Sequence, residues 1–396
     1  MQTLSNARLL SRVLRPLILL NSPEVQIFIA SNNRLQQWHQ RNTFSSFSPF
    51  LSVKFAEENR LQTSTDLVRL MLTSRAFFSK EVKSIECNPS ATVKELYDKM
   101  LESVNIKRSM PPNDWLWSLI ENCKNHDDIK LLFDILENLR RFRLSNLRIH
   151  SNFDCNLCRE VAKACVRVGA IDFGKKALWT NNMYGLSPSV ASAHHLLLFA
   201  KDHKDAKLMV EVMKLLKRNN LPLQPGTADI VFRICYDIDD WDLISKYSQT
   251  FIKAGAKLRQ TTFNTWMEFA AKRGDTEALW NIENLRSELM KQHSLVTGFS
   301  CAKGLLLEGK PEEAAAIIQV LNQTLSDAKR SGIMNELQKL INEWPLDVIR
   351  HRKEDKKTVA TALKSDIPAM ITTLANWGLE VSVNLEALTR MESIMA

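Results

Sequence analysis

Several groups of residues in this chain are of types that do chemistry. Cys155 and Cys158 form a CxxC with His150 and Cys165 nearby, the ligand set of a zinc site. The acidic run Asp237, Asp239, Asp240 and Asp242 has the composition of a divalent-cation site in a nuclease. His194-His195 and Asn125-His126-Asp127-Asp128 offer acid–base groups, and Arg350-His351-Arg352-Lys353-Glu354-Asp355-Lys356-Lys357 is the densest basic cluster outside the amino-terminal segment.

Each group also has a structural explanation. A structural zinc site needs four ligands, and no second CxxC or spaced histidine pair accompanies the first. Cys158, Ala162 and Cys165 share a helical face, which reads as buried small side chains. The acidic run falls at a predicted turn between helices, where aspartate caps the next helix and favours its positive end. The histidines have no Ser, Cys or Lys in a nucleophile context, and no glycine loop is suited to cradling a phosphate. The expectation is a binding protein and not an enzyme, without metal, cofactor or small-molecule substrate.

The 396 residues include only 11 Gly and 12 Pro, which favours helices over many short strands. Residues 1–56 carry Arg8, Arg12, Arg15, Arg34, Arg41 and Lys54 against the single acid Glu24, with many Ser, Asn and Leu. This is the composition of an organelle transit peptide. Its longest apolar run, Leu17–Leu20, is broken by Pro16, Asn21 and Pro23 and is too short to span a bilayer, so no membrane partner is expected. Arg41-Asn42-Thr43-Phe44-Ser45 and Arg75-Ala76-Phe77-Phe78-Ser79 each place an Arg shortly before an aromatic and a Ser, as at a processing site, and the second is preferred. Removing residues 1–78 takes away nine basic and four acidic side chains, so the net charge falls from +9 to +4. The mature body is only mildly basic. Its seven cysteines are spread over residues 87–301 and read as reduced thiols.

The elements that must position any site are helices in a repeat. Phe263, Trp266, Met267, Ala270 and Ala271 fall on one helical face, Gly274 ends that helix, and Ala278, Ile282, Leu285 and Leu289 stripe a second. The helix-ending position recurs at Gly309, 35 residues later, and Ala314, Ile317, Ile318, Leu321 and Leu325 follow it. Upstream it falls at Asp239, His203 and Gly169, at intervals of 35, 36 and 34 residues. A further hairpin, Asp114–Ile120 then Asp127–Phe133, fits at a longer interval. The reading is all-α: an α-solenoid of stacked helical hairpins with an extended concave surface lined by first helices.

Here the residues resemble a known family. Thr262-Phe263-Asn264-Thr265 with Lys272-Arg273-Gly274 resembles the opening of a pentatricopeptide repeat, and Gly185-Leu186-Ser187-Pro188-Ser189 its closing segment. Lys253-Ala254-Gly255-Ala256 before Thr261, and Trp377–Asn384, repeat the junction. The resemblance covers roughly residues 110–395 and is weakest at 330–365. The tetratricopeptide repeat shares the hairpin, but its Trp, Gly and Tyr spacing is missing.

The resemblance implies single-stranded RNA as partner, read about one base per repeat through the fifth and last residues of each repeat. In the best repeat these are Asn264 and Ser294; elsewhere the fifth positions read as Arg159, Ala193, Asp229 and Phe299. Ala193 and Phe299 have no base-reading polar group, and Asp229 repels phosphate, which argues against sequence reading. Contact through phosphates would fall first on Arg350, Arg352, Lys353, Lys356 and Lys357, although a solvated linker explains that cluster too. Most tryptophans, Trp115, Trp117, Trp179, Trp266, Trp280 and Trp344 among them, sit on periodic apolar positions and read as core.

The expected organisation is a mitochondrial targeting segment to residue 78, a helical lead over 79–112, hairpin repeats over 113–330 and a degenerate repeat and cap over 331–396. The expected role is an RNA-associated protein of mitochondria, structural within a ribonucleoprotein such as the mitochondrial ribosome, its partners RNA and ribosomal proteins. Alternatives are a helical scaffold or assembly factor that touches only protein, and a plastid address.

Overall fold

A computed structural model describes residues 89–146, 150–326, 330–352, 355–379 and 383–385, so the expected targeting segment and both expected processing sites lie outside the described residues. Sixteen helices and no strands are present among them. A lead helix α1 (Ala91–Asn105) packs on the first hairpin, α2 (Asn113–Asn122) and α3 (His126–Ser145). Five more hairpins follow: α4 (Cys155–Val168) with α5 (Ile171–Ala177), α6 (Val190–Asp202) with α7 (Ala206–Arg218), α8 (Pro225–Asp237) with α9 (Trp241–Lys253), α10 (Gln260–Arg273) with α11 (Thr276–Leu289), and α12 (Leu295–Leu307) with α13 (Pro311–Thr324).

Local sequence sets these boundaries. Asp205, Asp240 and Asp275, at the same place in three successive repeats, cap α7, α9 and α11 by accepting from the backbone N–H of Leu208, Leu243 and Ala278 at 2.8–2.9 Å. Each such cap is worth about 1 kcal/mol, and its carboxylate also favours the positive helix end. Capping places the turns but does not hold the fold. Each buried Val, Leu, Ile, Phe or Met contributes about 1.5–3 kcal/mol, and every first helix buries at least two.

The first helices stack in sequence, α2 on α4, then α6, α8, α10 and α12; each second helix from α5 onward packs against its own first helix, whereas α3 packs against the lead helix α1. The predicted stripe of α10 is wholly buried. In α11 the prediction needs correction: Leu289 is exposed, and the buried stripe runs Leu279, Ile282 and Arg286. Of the tryptophans, Trp266 and Trp344 are buried, Trp115, Trp117 and Trp280 are half-buried, and Trp179 is 49% exposed in the turn after the short α5. Among the described residues no helix is long and apolar enough to cross a membrane.

After α13 the alternation stops. Helices α14 (Gly332–Asn342) and α15 (Trp344–His351) turn back onto the first helices: α14 on α12, and α15 on α10. Only then does α16 (Lys356–Asn376) take the next stacking place, against α12 and α13. The Trp344 indole N–H donates to the Ala271 carbonyl at 2.8 Å, and Val348 and Ile349 are buried beside it. Gly274, with φ +72°, ends α10 under this contact, and a Cβ there would lie 3.0 Å from Val348 Cγ1. Gly169 has the same left-handed conformation with nothing within 4 Å.

Both Gly169→Ala and Gly274→Ala carry the left-handed cost of about 1–2 kcal/mol. Urea unfolding is expected to show the larger loss for Gly274→Ala, the excess reporting the seat of α15. Equal losses would mean that α15 does not rest there.

Candidate nucleic-acid interface

The turn residues fix the repeat register more tightly than the sequence pattern does. Gly169, Lys204, Asp239, Gly274 and Gly309 all have positive φ, each 35 residues after the one before. The helix-ending position of α6 is therefore Lys204, not His203, which is only its right-handed cap. A second series with positive φ, Gly185, Asn220 and Gly255, marks the turns out of the second helices at the same period. Lysine and aspartate hide this regularity, because neither advertises a left-handed turn as glycine does. With the register corrected, the fifth residue of the α6 repeat is His194; Ala193 lies in the core, 1% exposed.

Corrected, the fifth residues are Arg159, His194, Asp229, Asn264 and Phe299, and most are polar after all. What removes them from base reading is their partners. His194 Nε2 lies 2.8 Å from the Thr227 hydroxyl. Asp229 accepts from the hydroxyls of Thr261, at 2.7 Å, and of Thr262, and pairs with Arg259 at 3.5 Å. Asn264 Oδ1 accepts from the Ser294 hydroxyl at 2.7 Å and from Gln260 at 3.1 Å. Ser294 itself caps α12 by accepting from the Thr297 N–H. Phe299 is buried, and Arg159 is partly exposed and pairs with Glu160 at 3.0 Å.

Behind these pairs runs a ladder that the sequence reading missed. Ser192, Thr227, Thr262 and Thr297 recur at intervals of 35 residues, and each is fully buried. A buried hydroxyl must be hydrogen-bonded. Two of the four, Thr227 and Thr262, meet the fifth residue of the preceding repeat; Ser192 and Thr297 complete capping boxes with Ser189 and Ser294. The polar groups along the start of the first helices thus hold one repeat to the next.

Farther along, the first-helix face is covered by the chain's own α14 and α15. Lys303 of α12 is half-buried among Glu268 of α10, Glu336 and Lys339 of α14 and Asp347 of α15; burial lowers its pKa, against the attraction of the three carboxylates. His351 Nε2 reaches Asp239 at 2.9 Å, and Lys272 pairs with the same carboxylate at 3.2 Å. The basic cluster is divided by this arrangement. Arg350 is exposed and 3.4 Å from Asp347, Arg352 lies beside the turn at Gly274, and Lys356 and Lys357 are exposed in the first turn of α16. Lys353 lies outside the described residues.

The other chemical groups separate. Cys155 is exposed while Cys158 and Cys165 are buried in the core. Asp240 is a helix cap, Asp237 pairs with Arg233 and Asp239 with Lys272. Buried Asp128 closes a capping box with Asn125 and accepts from the backbone N–H of Ser90. One further cluster was not expected. Glu283, His293 and Cys301 bring a carboxylate, an imidazole and a thiol within 4.8 Å of one another. Zinc would take such ligands, but Arg286 already holds the cation position. Its guanidinium is bidentate on Glu283, both contacts 2.7 Å, lies 3.3 Å from His293 Nε2, and donates to the carbonyls of Met290 and Gln292. One repeat upstream the places of Arg286, His293 and Cys301 are filled by Phe251, Leu258 and Trp266, all buried. A polar core has replaced an apolar one in a single repeat.

No protein-family model matches the chain, and no curated protein matches it. Solved structures similar to it include the pentatricopeptide repeat protein PPR10 in complex with an 18-nt psaJ RNA element, and a form of the same complex with three cysteines changed to serine. Each is 14% identical, with a TM-score of 0.34, over 76% of this chain and 45% of the other. The chain thus spans less than half the length of those proteins.

Burial pushes the His293 pKa below its ordinary 6.5, Glu283 opposing and Arg286 adding to the shift. The folded state therefore holds the neutral ring, and the stability this supplies is present above the unfolded value and lost as pH falls through it. Melting temperature is expected to drop between about pH 7 and pH 5, and to drop less in His293→Leu, which copies Leu258. An unchanged acid limb in that variant would show that His293 does not titrate with unfolding.

Proposed function

We propose that this protein is an RNA-associated helical-repeat protein of mitochondria, a structural part of a ribonucleoprotein such as the mitochondrial ribosome. The observation that carries the reading is the fate of the fifth residues. The repeat has the period and hairpin of an RNA-binding solenoid, yet His194, Asp229 and Asn264 are bonded to neighbouring repeats and Phe299 is buried. Freeing His194, Asp229 or Asn264 to read a base would leave a hydroxyl at the start of the next first helix without its partner, at about 1–3 kcal/mol. Contact with RNA is then through backbone and shape, which suits a fixed place in an assembly better than a search for one sequence.

Residues 1–78 support the mitochondrial address through their basic, acid-poor composition. The exposed side chains of Arg350, Lys356 and Lys357 stand as phosphate contacts in this reading.

The test is sedimentation of the endogenous protein from organelle lysate through a sucrose gradient, with and without RNase and with magnesium chelated. Co-migration with one ribosomal subunit, lost when that subunit falls apart, is the expected result. A small species indifferent to RNase would sink the proposal in favour of a protein-binding scaffold.

A further inference from the structure

The two edges of the hairpin stack differ in charge and in how that charge is used. Where first helices turn into second helices, several cations are paired, Lys175 with Asp172, Lys272 with Asp239 and Lys310 with Glu308, at 2.7–3.2 Å, while Lys124, Lys204 and Lys207 stand exposed among the capping aspartates. Aspartates 205, 240 and 275 cap helices on the same edge. On the opposite edge each second helix ends and the next first helix begins. There residues 214–224, 249–260 and 284–295 contain one carboxylate, Glu288. Along them stand Lys214, Lys217, Arg218, Lys253, Lys257 and Lys291, all exposed and none in an ion pair among the described residues.

The helix dipole accounts for part of this row. It favours cations in a last turn, which covers Lys217, Arg218 and Lys253. Lys257 and Lys291 lie in the turns beyond, where that attraction has fallen away, and Lys214 lies before the last turn. Unpaired like charges in successive turns repel one another, so a row of them is a cost that a polyanion would relieve. The first-helix face offers no such row, because its polar groups are bonded between repeats and its end is covered by α14 and α15.

We propose that this edge, from Lys214 to Lys291, is a phosphate-binding tract that carries the backbone of single-stranded RNA along the side of the stack, not across its first-helix face. The inference rests on the RNA reading above and deepens it. The tract takes the sugar–phosphate chain of any sequence, since lysine meets phosphate as a point charge and carries no base information. Arg218 and Lys253 stand at the same place in successive repeats, and Arg259, held to Asp229, marks where the tract borders the first helices.

The experiment uses the full mature chain and a fluorescein-labelled oligouridine, with binding followed by anisotropy over a salt series. The variant K217E/R218E/K253E/K257E reverses the tract, K217Q/R218Q/K253Q/K257Q neutralises it, and K94E/K124E/K204E/K207E makes the same charge change at exposed lysines elsewhere. Circular dichroism checks that each is folded. Expected for the neutral variant is a flatter dependence of log affinity on log salt, by about 0.7 for each phosphate contact removed, with a larger affinity loss for the reversed one. The control should keep most of its affinity. Equal losses from control and tract variants, or no loss from either, would overturn the tract while leaving RNA binding intact. Failure of the unaltered protein to bind oligouridine at any salt would overturn the tract together with backbone binding.

Discussion

A hairpin of two short helices covers only one side of its first helix. The other side must be covered by the next repeat, and this stacking of α4, α6, α8, α10 and α12 is the contact on which the rest of the structure depends. Apolar burial drives it, with Phe232, Phe263, Met267 and Phe299 fully buried along the stack. Burial alone does not set register, because apolar faces slide at little cost. The buried hydroxyls of Thr227 and Thr262, each bonded to the preceding repeat, supply the missing direction. A buried hydroxyl with no acceptor is expensive, so each repeat settles where its polar pair closes.

That solution has a consequence for binding. The polar side chains best placed to meet a linear partner, at the start of each first helix, are those that fix the register. Their use in stacking leaves recognition to surfaces outside the apolar seam, chiefly the turns between repeats. Charge follows the same logic. Aspartate caps and ion pairs occupy much of one edge, and the other carries cations with almost no carboxylate beside them.

Helices α14 and α15 close the stack differently. An exposed terminal repeat needs a cap, and α16 provides it by occupying the next place beside α12 and α13. The two helices before it are laid across α10 and α12, fastened by Trp344 to Ala271 and by His351 to Asp239. The Glu283–Arg286–His293–Cys301 cluster lies under the same repeat. Buried ion pairs seldom stabilise relative to apolar packing, and the preceding repeat shows the apolar version with Phe251, Leu258 and Trp266. The last repeats are therefore specialised in core and in surface.

The sequence by itself determined what is local. Helical periodicity, aspartate caps and glycine turns gave the hairpins and a period near 35 residues, since each of these signals acts within a turn or two of chain. It was ambiguous by one residue at Lys204, where the left-handed turn is made without glycine, and that slip moved the fifth residue from His194 to Ala193. The buried hydroxyl ladder was present in the sequence at constant spacing but has no meaning until a neighbouring helix is placed against it. Only the tertiary structure decided that Arg286 is buried and Leu289 exposed, that α15 sits on α10, and that Asn264 and Ser294 bond each other. Each of these joins residues whose contact is set by packing between helices, which no pattern within one helix encodes.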